Sequence, residues 1–239
     1  PFDILEAAVT LHDTMPYWPP GSVFVAVVDP GVGTARRSLV ASTTDKKMII
    51  CPDNGLLTLV QQAGLIEEIY VIDEDQNRRP GSEVYHTFHG RDLYAYNAAR
   101  LASGLVHPDQ LGPNVGQNTI LLELQEAHIV GNRIRGIILR IEQPYGNLVT
   151  NIPTAMAHSI SLRPGGTAYL RIVKDRTCVY ENALPFVQSF GFVDEGALLL
   201  YPDSAGRLGI AQNGGSAAEF MGVAGGGDVE VEVENAKKR

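Results

Sequence analysis

The sequence falls into two parts with different hydrophobic patterns, and this difference most constrains the fold. In residues 1–111, short apolar runs that predict strands alternate with segments of helical spacing. Beyond residue 118 the helical spacing fades, and the apolar runs are short, rich in β-branched residues and separated by turns. The first pattern predicts a layered α/β domain, because strands that alternate with helices pack as a sheet covered by helices. The second pattern predicts a small all-β domain.

The first part predicts four strands and three helices. Residues 22–28 form a continuous apolar, β-branched run that ends at Asp29-Pro30-Gly31, which predicts a buried central strand running into a turn. Three more apolar runs predict strands: residues 38–41, 48–51 and 66–72. Helical spacing predicts the helices: residues 4–11 with Asp3 near the start, residues 55–63 and residues 91–105.

Residues 112–118 (GPNVGQN) predict a linker between two domains, residues 1–115 and residues 119–239. Turn residues such as Asn213-Gly214 separate seven runs that predict strands: residues 119–124, 133–141, 148–152, 167–173, 197–201, 208–212 and 228–233. The predicted fold is therefore an N-terminal α/β/α layered domain followed by a small C-terminal β-barrel.

Charge and composition exclude several classes of partner. The formal net charge is −8, and the only basic run, residues 237–239, is explained as a solvated tail, so we expect no nucleic-acid partner. No apolar stretch reaches the ~20 residues that span a bilayer, so we expect no membrane association. Cys51 and Cys178 are far apart and predict no disulfide framework, which favours a reducing, cytoplasmic location.

Asp29 and Arg36 stand on one glycine-containing segment, DPGVGTAR. An acid at the carboxyl end of a parallel strand lies where open α/β sheets bind ligands, and Gly31 and Gly33 allow the backbone to approach a ligand closely. Arg36 occupies the place of the third glycine of a dinucleotide fingerprint, so that motif is absent. A structural turn with a salt bridge explains this segment equally well.

Three further segments carry polar groups with a structural alternative. Asp53 or Asn54 could cap the helix that follows, or line the same face of the sheet as Asp29. His86, His89 and Asp92 match no common zinc spacing, so we predict no metal, and His89 alone is as readily a structural histidine. The segment 142–147 (EQPYGN) offers an acid, an aromatic and an amide suited to a cationic aromatic ligand, or forms a simple hairpin turn.

Taken together, these segments resemble the S-adenosylmethionine (SAM) hydroxide adenosyltransferase family, which is related to the SAM-dependent fluorinase and chlorinase. The resemblance spans nearly the whole chain and is carried by five segments: VFVAVVDPGVGTARR (23–37), CPDNGLLT (51–58), TFHGRD (87–92), YGNLVTNI (145–152) and SAGRLGIAQNGGSAA (204–218).

The resemblance implies hydrolysis of SAM to adenosine and methionine, with SAM as the substrate and no metal or other cofactor. It also implies a homotrimer in which SAM lies between the N-terminal domain of one subunit and the C-terminal domain of the next. Asp29, Arg36 and His89 fall on the family's Asp-Arg-His triad. The halogenases carry a non-acidic residue at the Asp position and lack the His, so the triad favours water over halide. At the position of Gly90 the chlorinase is similar to this chain, so Gly90 does not separate hydrolysis from halogenation.

The resemblance also implies a set of substrate-binding residues. Asn147 and the backbone of Gly214 would contact adenine, and Glu142 and Ser204 would hold the methionine end. The remaining members pack on rings or line the same face: Phe2, Asp53, Asn54, Tyr145 and Phe190.

Two departures from the family pattern stand out. Glu142 stands where the family usually has Asp. The family's first strand, whose acid binds the ribose hydroxyls, has no counterpart here, so we expect either a truncation or another segment in its place. Two alternatives therefore stay open, a SAM-dependent halogenase and a non-catalytic protein that senses an adenosyl ligand.

Overall fold

The computed structural model describes residues 2–238 and divides into two compact units, Pro1–Glu123 and Leu124–Arg239. Pro1, which precedes the predicted first helix, and Arg239, the last residue of the predicted basic tail, lie outside the described residues. The first unit has four α-helices, which are α1 (Ile4–Thr14), α2 (Thr58–Gln62), α3 (Glu74–Asn77) and α4 (Tyr96–Ala102), and four strands, which are β1 (Val23–Val25), β2 (Ser38–Thr43), β3 (Met48–Pro52) and β4 (Ile66–Val71). A π-helical turn, Gly90–Ala95, leads directly into α4.

The four strands of the first unit form one sheet in the order β1-β3-β2-β4, with β1 parallel to β3 and the other pairs antiparallel. Alternate residues of β2 and β3 enter two separate cores. Leu39 and Ile49 pack with residues of α1 and α2, whereas Val40 and Ile50 pack with residues of α4. Helices therefore cover both faces of the sheet, which confirms the predicted α/β/α layers.

The strand predicted at residues 22–28 is shorter and less buried than its apolar sequence indicates. Only Val23–Val25 is a strand, at the edge of the sheet, and Val25 is 43% exposed. One further backbone bond, from Ala26 to Ile50, continues the pairing with β3. A continuous apolar run predicts burial on both faces, but β1 pairs with a single neighbour in the described part of the chain.

Residues 112–122 are part of the first unit, are held to its other residues by hydrogen bonds, and do not form the predicted linker and strand. Val71 donates to the carbonyl of Pro113, and Val115 donates to Ile69, so this segment follows β4. Beyond it, the amides of Ile120 and Leu122 donate to side chains of the same unit, and no strand is assigned to residues 119–124. The prediction missed this because turn-forming residues favour a loop whether or not the loop is held in place.

The described part of the second unit contains eight strands, which are β5 (His128–Val130), β6 (Arg133–Glu142), β7 (Asn147–Pro153), β8 (Gly166–Lys174), β9 (Thr177–Phe186), β10 (Leu198–Pro202), β11 (Arg207–Gln212) and β12 (Val229–Asn235). They follow the order β12-β8-β9-β10-β11-β7-β6-β5. Because β6 also pairs with β12, seven strands close into a barrel that β5 flanks. This confirms the predicted barrel.

The barrel encloses one apolar core, in which Leu170, Phe186 and Val231 are fully buried. Two short helices, α5 (Thr154–Ser159) and α6 (Ala217–Met221), pack against it. The sequence prediction missed β9, since eight of its ten residues, all but Leu184 and Phe186, are exposed or half-buried and polar residues interrupt its apolar pattern.

No helix among residues 2–238 combines the length and apolar character needed to cross a bilayer. Cys51 is buried in β3 and Cys178 is exposed on β9, and neither forms a disulfide. Burial raises the pKa of the Cys51 thiol, as expected for a small hydrophobic core residue.

Phe186 provides a test of the barrel core. We expect Phe186→Ala to lower the free energy of unfolding of the second unit by about 3–5 kcal/mol, because truncation leaves a cavity in a fully packed core. Val179→Ala on the exposed side of the same strand is the matched control and should change it by less than about 0.5 kcal/mol. Urea titration followed by near-ultraviolet circular dichroism measures both variants, and equal losses would contradict this description of the core.

Candidate active site

The loop after β1 folds back on itself and brings Arg36 beside Asp29. The amide of Val32 donates to the carbonyl of Asp29 at 3.2 Å, which closes a turn with Pro30 in its second position. The amide and hydroxyl of Thr34 both donate to the carbonyl of Gly31, at 3.1 and 2.7 Å, and form a second turn. Two turns in succession reverse the chain, so residues seven apart in sequence come into contact.

Gly33 has a conformational role in this loop. Its φ is +77°, and a Cβ there would lie 3.0 Å from the carbonyl oxygen of His86. Glycine is therefore required by the backbone of the loop and by a neighbouring segment of the same unit. The predicted close approach to a ligand is not needed to explain it.

Asp29 and Arg36 form a buried ion pair in which the guanidinium lies side-on to the carboxylate. Arg36 Nε donates to both carboxylate oxygens at 3.0 Å, and Nη2 donates to Oδ2 at 2.5 Å. The two side chains are only 5% and 8% exposed. Burial disfavours the charged guanidinium, but the hydrogen bonds to Asp29 and the surrounding negative charge prevail and raise the pKa of Arg36. The Arg36 guanidinium is therefore held in its charged form beside Asp29, away from bulk water.

His89 meets the ion pair from the start of the π-helical turn. It precedes Gly90–Ala95, and its side chain is 3% exposed. Nδ1 lies 2.8 Å from Nη2 of Arg36, the same nitrogen that binds Asp29. The structure thus brings together the three side chains predicted as a triad, with Arg36 in the centre.

A second guanidinium faces the other ring nitrogen of His89. Arg78 Nη2 lies 3.0 Å from Nε2, so donors approach both nitrogens, whereas a neutral imidazole has only one acceptor nitrogen. Burial lowers the pKa of His89 and the two guanidinium charges lower it further, against the opposing effect of Glu74 and Asp29. His89 is therefore a neutral imidazole that resists protonation.

Three polar groups that the sequence prediction missed complete the cluster. Ser38 Oγ accepts from Arg36 Nη1 at 2.8 Å, donates to Glu74 Oε1 at 2.6 Å and lies 3.0 Å from the hydroxyl of Tyr94. The Arg36 guanidinium carbon lies 5.6 Å from the centre of the Tyr94 ring. Ser38 is the first residue of β2 and Glu74 is the first residue of α3, and no sequence motif marked either of them.

Asp53 and Asn54 support the backbone around this cluster, and neither caps α2, whose N-cap is Leu57. Both oxygens of Asp53 are engaged, one by Arg37 Nε at 2.7 Å and the other by the amide of Ile120 at 2.8 Å. Asn54 Nδ2 donates to the carbonyl of Val28 at 2.8 Å, directly before Asp29. Its Oδ1 is buried without a partner in the described residues.

Phe2 lies in an apolar groove of about 430 Å³ between α1 and the segment that includes β1. The groove is also lined by residues that lead toward Asp29, including Ala26, Val27 and Val28. Phe2 is largely exposed there. The ring of Phe2 therefore lines the groove and also keeps an exposed surface for another contact.

Three predicted binding residues of the second unit lie on one hairpin. Glu142 ends β6 and Asn147 begins β7, and the two are paired across the strands with Asn147 Nδ2 donating to Glu142 Oε2 at 3.1 Å. Tyr145 in the connecting turn is 67% exposed, whereas Asn147 is buried. The hairpin suggested by the sequence is present, and it places an acid, an amide and an exposed aromatic ring together.

Gly214 lies at the same end of the barrel as that hairpin, but Ser204 does not. β11 pairs with β7 so that Ile210 faces Leu148 and Arg207 faces Pro153. Gly214 follows β11, at the end where Ile210 pairs with Leu148 near the start of β7. Ser204 lies in the turn before β11, at the end where Arg207 pairs with Pro153. Six strand residues span ~20 Å, so this unit separates the two positions.

Phe190 is half-buried and packs on Tyr201, with ring centres 5.2 Å apart. Its loop is tied to the Gly214 end of the barrel, because Asn213 Nδ2 donates to the carbonyl of Val193 at 3.0 Å. This ring is thus fixed by its own unit, unlike the open ring of Tyr145.

The environment of His89 predicts how the stability of the protein depends on pH. The unfolded state has an ordinary histidine pKa of about 6.5, and the folded state has a lower one, so the unfolded state binds more protons as pH falls below about 6.5. We therefore expect stability to decrease from that pH down to the folded-state pKa, and His89→Gln to make this decrease shallower. Urea midpoints at several pH values measure the slope, and His86→Gln, an exposed neighbour, is the control. Equal slopes in the wild type and His89→Gln would contradict the burial of a neutral His89.

Comparison with family models identifies both units. The SAM hydroxide adenosyltransferase N-terminal domain matches residues 1–112, and the C-terminal domain of the same family matches residues 136–230. The two matches together cover most of the chain and follow the order of the two units.

Individual relatives agree with this assignment. The chain is 36% identical to the (R)-S-adenosyl-L-methionine hydrolase of Thermus thermophilus, over 93% of this chain and 80% of that protein. It is 35% identical to the hydrolase of the same name from Salinispora tropica, over 97% and 82%, and 27% identical to a fluorinase of an Actinoplanes species, over 89% and 78%. A crystal structure of an uncharacterized conserved protein from Thermotoga maritima superposes with a TM-score of 0.85 at 32% identity, over 98% of this chain and 85% of that one. The chain therefore belongs to the SAM hydroxide adenosyltransferase family.

Proposed function

We propose that this protein hydrolyses SAM, releasing adenosine and methionine by attack of water on C5′ of the adenosyl group. The observation that carries the proposal is the buried contact of Asp29, Arg36 and His89, supported by the family and by relatives named as hydrolases. Those names specify the (R) epimer at sulfur, so we propose the (R) epimer as the preferred substrate.

The chemistry requires little more than a positioned water. Cleavage of the C5′–S bond converts a sulfonium into a neutral thioether, while the water oxygen bonds to C5′ and gives up one proton. The protein must hold that water in line with the departing sulfur and exclude other solvent. The low exposure of the triad side chains suits this task.

Asp29 is the proposed general base. It accepts a hydrogen bond from the water and then its proton, and releases that proton to solvent when the products leave. Arg36 is the proposed fixing group, because its three short contacts hold both carboxylate oxygens of Asp29 in one orientation. A base held in one orientation is effective because the hydrogen-bond partners of the water need not reorganise during the reaction.

His89 is proposed to orient the other members and to complete the water site, without storing the proton. Arg36 Nη2 touches both Asp29 and His89, so the imidazole limits the rotation of the guanidinium. The lowered pKa of His89 argues against proton uptake. Asp29 therefore carries the proton alone in this proposal.

Substrate binding is proposed to use the residues that the family resemblance implies. Phe2, Tyr145 and Phe190 supply aromatic surface, and Asn147 and Gly214 face adenine. Glu142 holds the methionine end in this proposal, while Asp53 and Asn54 support the loop that carries Asp29. Ser204 is left out of this set, because it lies at the opposite end of the barrel from Glu142. We further propose a homotrimer in the cytoplasm; the family resemblance favours the first and two unpaired cysteines are compatible with the second.

The reaction itself is tested by incubating the purified protein with the (R) and (S) epimers of SAM separately, with and without chloride. We expect adenosine and methionine, formed faster from the (R) epimer and independent of chloride. Formation of 5′-chloro-5′-deoxyadenosine would identify a halogenase instead. Intact SAM bound after prolonged incubation would identify a binding protein.

The role of Asp29 is tested with Asp29→Asn, which keeps the size of the side chain and removes its charge. We expect kcat to fall about 10²–10⁴-fold with KM little changed, because a positioned base acts in the transition state rather than in binding. Asp75→Asn, the same change at an exposed site, is the control and should keep wild-type kcat. Wild-type turnover by Asp29→Asn would remove Asp29 from the mechanism.

A further inference from the structure

We propose that Glu74 is a positioning residue of this site, which holds Arg36 and Arg78 on either side of His89 and so keeps the Asp29–Arg36 pair aimed at the reacting water. This inference rests on the proposed function. Nothing in the family comparison assigns Glu74, and the sequence prediction did not select it.

The local fold places the side chain of Glu74 beside Ser38 and Arg36. Asp73 caps α3 by accepting from the amide of Gln76 at 3.2 Å, which makes Glu74 the first helical residue. Just before it, the amide of Ile72 donates to the carbonyl of Ser38 at 2.8 Å. The start of β2 and the residues just before α3 are therefore joined, and the side chains of Ser38 and Glu74 meet.

Glu74 contacts the cluster through both carboxylate oxygens. Oε1 accepts from Ser38 Oγ at 2.6 Å and from Arg36 Nη1 at 3.3 Å. Oε2 lies 3.6 Å from Arg78 Nη2 and 3.7 Å from His89 Nδ1. One carboxylate thus connects both arginines that face the imidazole.

The contact with Arg36 explains how the guanidinium is oriented. Nε and Nη2 face Asp29, and Nη1 points the opposite way, toward Ser38 and Glu74. Ser38 Oγ is the nearer acceptor of Nη1, at 2.8 Å, and it donates its own proton to Glu74, so Glu74 fixes both acceptors that hold Nη1 on the side away from Asp29. Glu74 therefore acts on the reaction through Arg36.

Glu74 also balances the charge around His89. Arg36 and Arg78 bring two positive charges to a neutral imidazole, and Asp29 supplies only one negative charge. Glu74 supplies the second, and its side chain, 28% exposed, borders a polar cavity of about 240 Å³ that also reaches Arg78 and His89. The charged and aromatic groups that face His89 are, from all packed elements, Asp29, Arg36, Glu74, Arg78 and Tyr94.

The test compares Glu74→Gln, which keeps the shape, with Glu74→Asp, which restores the charge. For Glu74→Gln we expect kcat to fall about 10- to 100-fold with KM little changed, because a misdirected Arg36 affects the transition state. In the ligand-free protein, NMR titration of the His89 ring should show a lower pKa than in the wild type, since Glu74 raises it. Glu74→Asp should recover part of both effects, and Asp75→Asn on the same helix should show neither.

Two results would overturn the inference. One is a Glu74→Gln variant with wild-type kcat and an unchanged His89 pKa. The other is a loss of activity that Glu74→Asp shares in full, with an unchanged His89 pKa, since that indicates packing alone. If the wild type forms no adenosine, the proposed function fails, and the His89 titration still decides whether Glu74 controls this cluster.

Discussion

The side-on ion pair between Asp29 and Arg36 is the interaction on which the rest of the first unit's site depends. A pair so little exposed is tolerated only if each remaining donor finds an acceptor, because an uncompensated buried charge is costly. Arg36 meets this demand with Asp29, His89, Ser38 and Glu74. The loop after β1, the start of β2, the start of α3 and the π-helical turn must therefore all be in place together.

The π-helical turn Gly90–Ala95 has a positional effect within this arrangement. It separates His89 from Tyr94 by five residues, the repeat of a π-helix, and their rings lie 6.5 Å apart, edge to face. Tyr94 in turn contacts Ser38 and lies over Arg36. An α-helical repeat would rotate one of the two rings away from the ion pair. The irregular backbone is thus the means by which one short segment supplies both groups.

The sequence predicted the layers and the barrel well, because hydrophobic periodicity records which faces are buried. Local turn chemistry allowed a salt bridge between Asp29 and Arg36 to be predicted. Only the family resemblance predicted that His89 joins them. Glu74, Arg78 and Ser38 were not predictable, since their meeting depends on strand register and loop packing, which no local pattern records. The edge position of β1 was missed for the same reason: its apolar residues predict burial, but pairing decides which strand lies outside.

Closure of the barrel has a consequence for how the chain acquires its structure. The strand pairing that closes the barrel joins β6 to β12, so residues near 135 pair only after residues near 232 are available. Contacts between such distant positions form slowly, since a long loop must close first. During synthesis, β6 leaves the ribosome well before its partner exists. β12 therefore completes the cylinder, and until it pairs, β6 and β8 each keep an open edge that can pair with other chains.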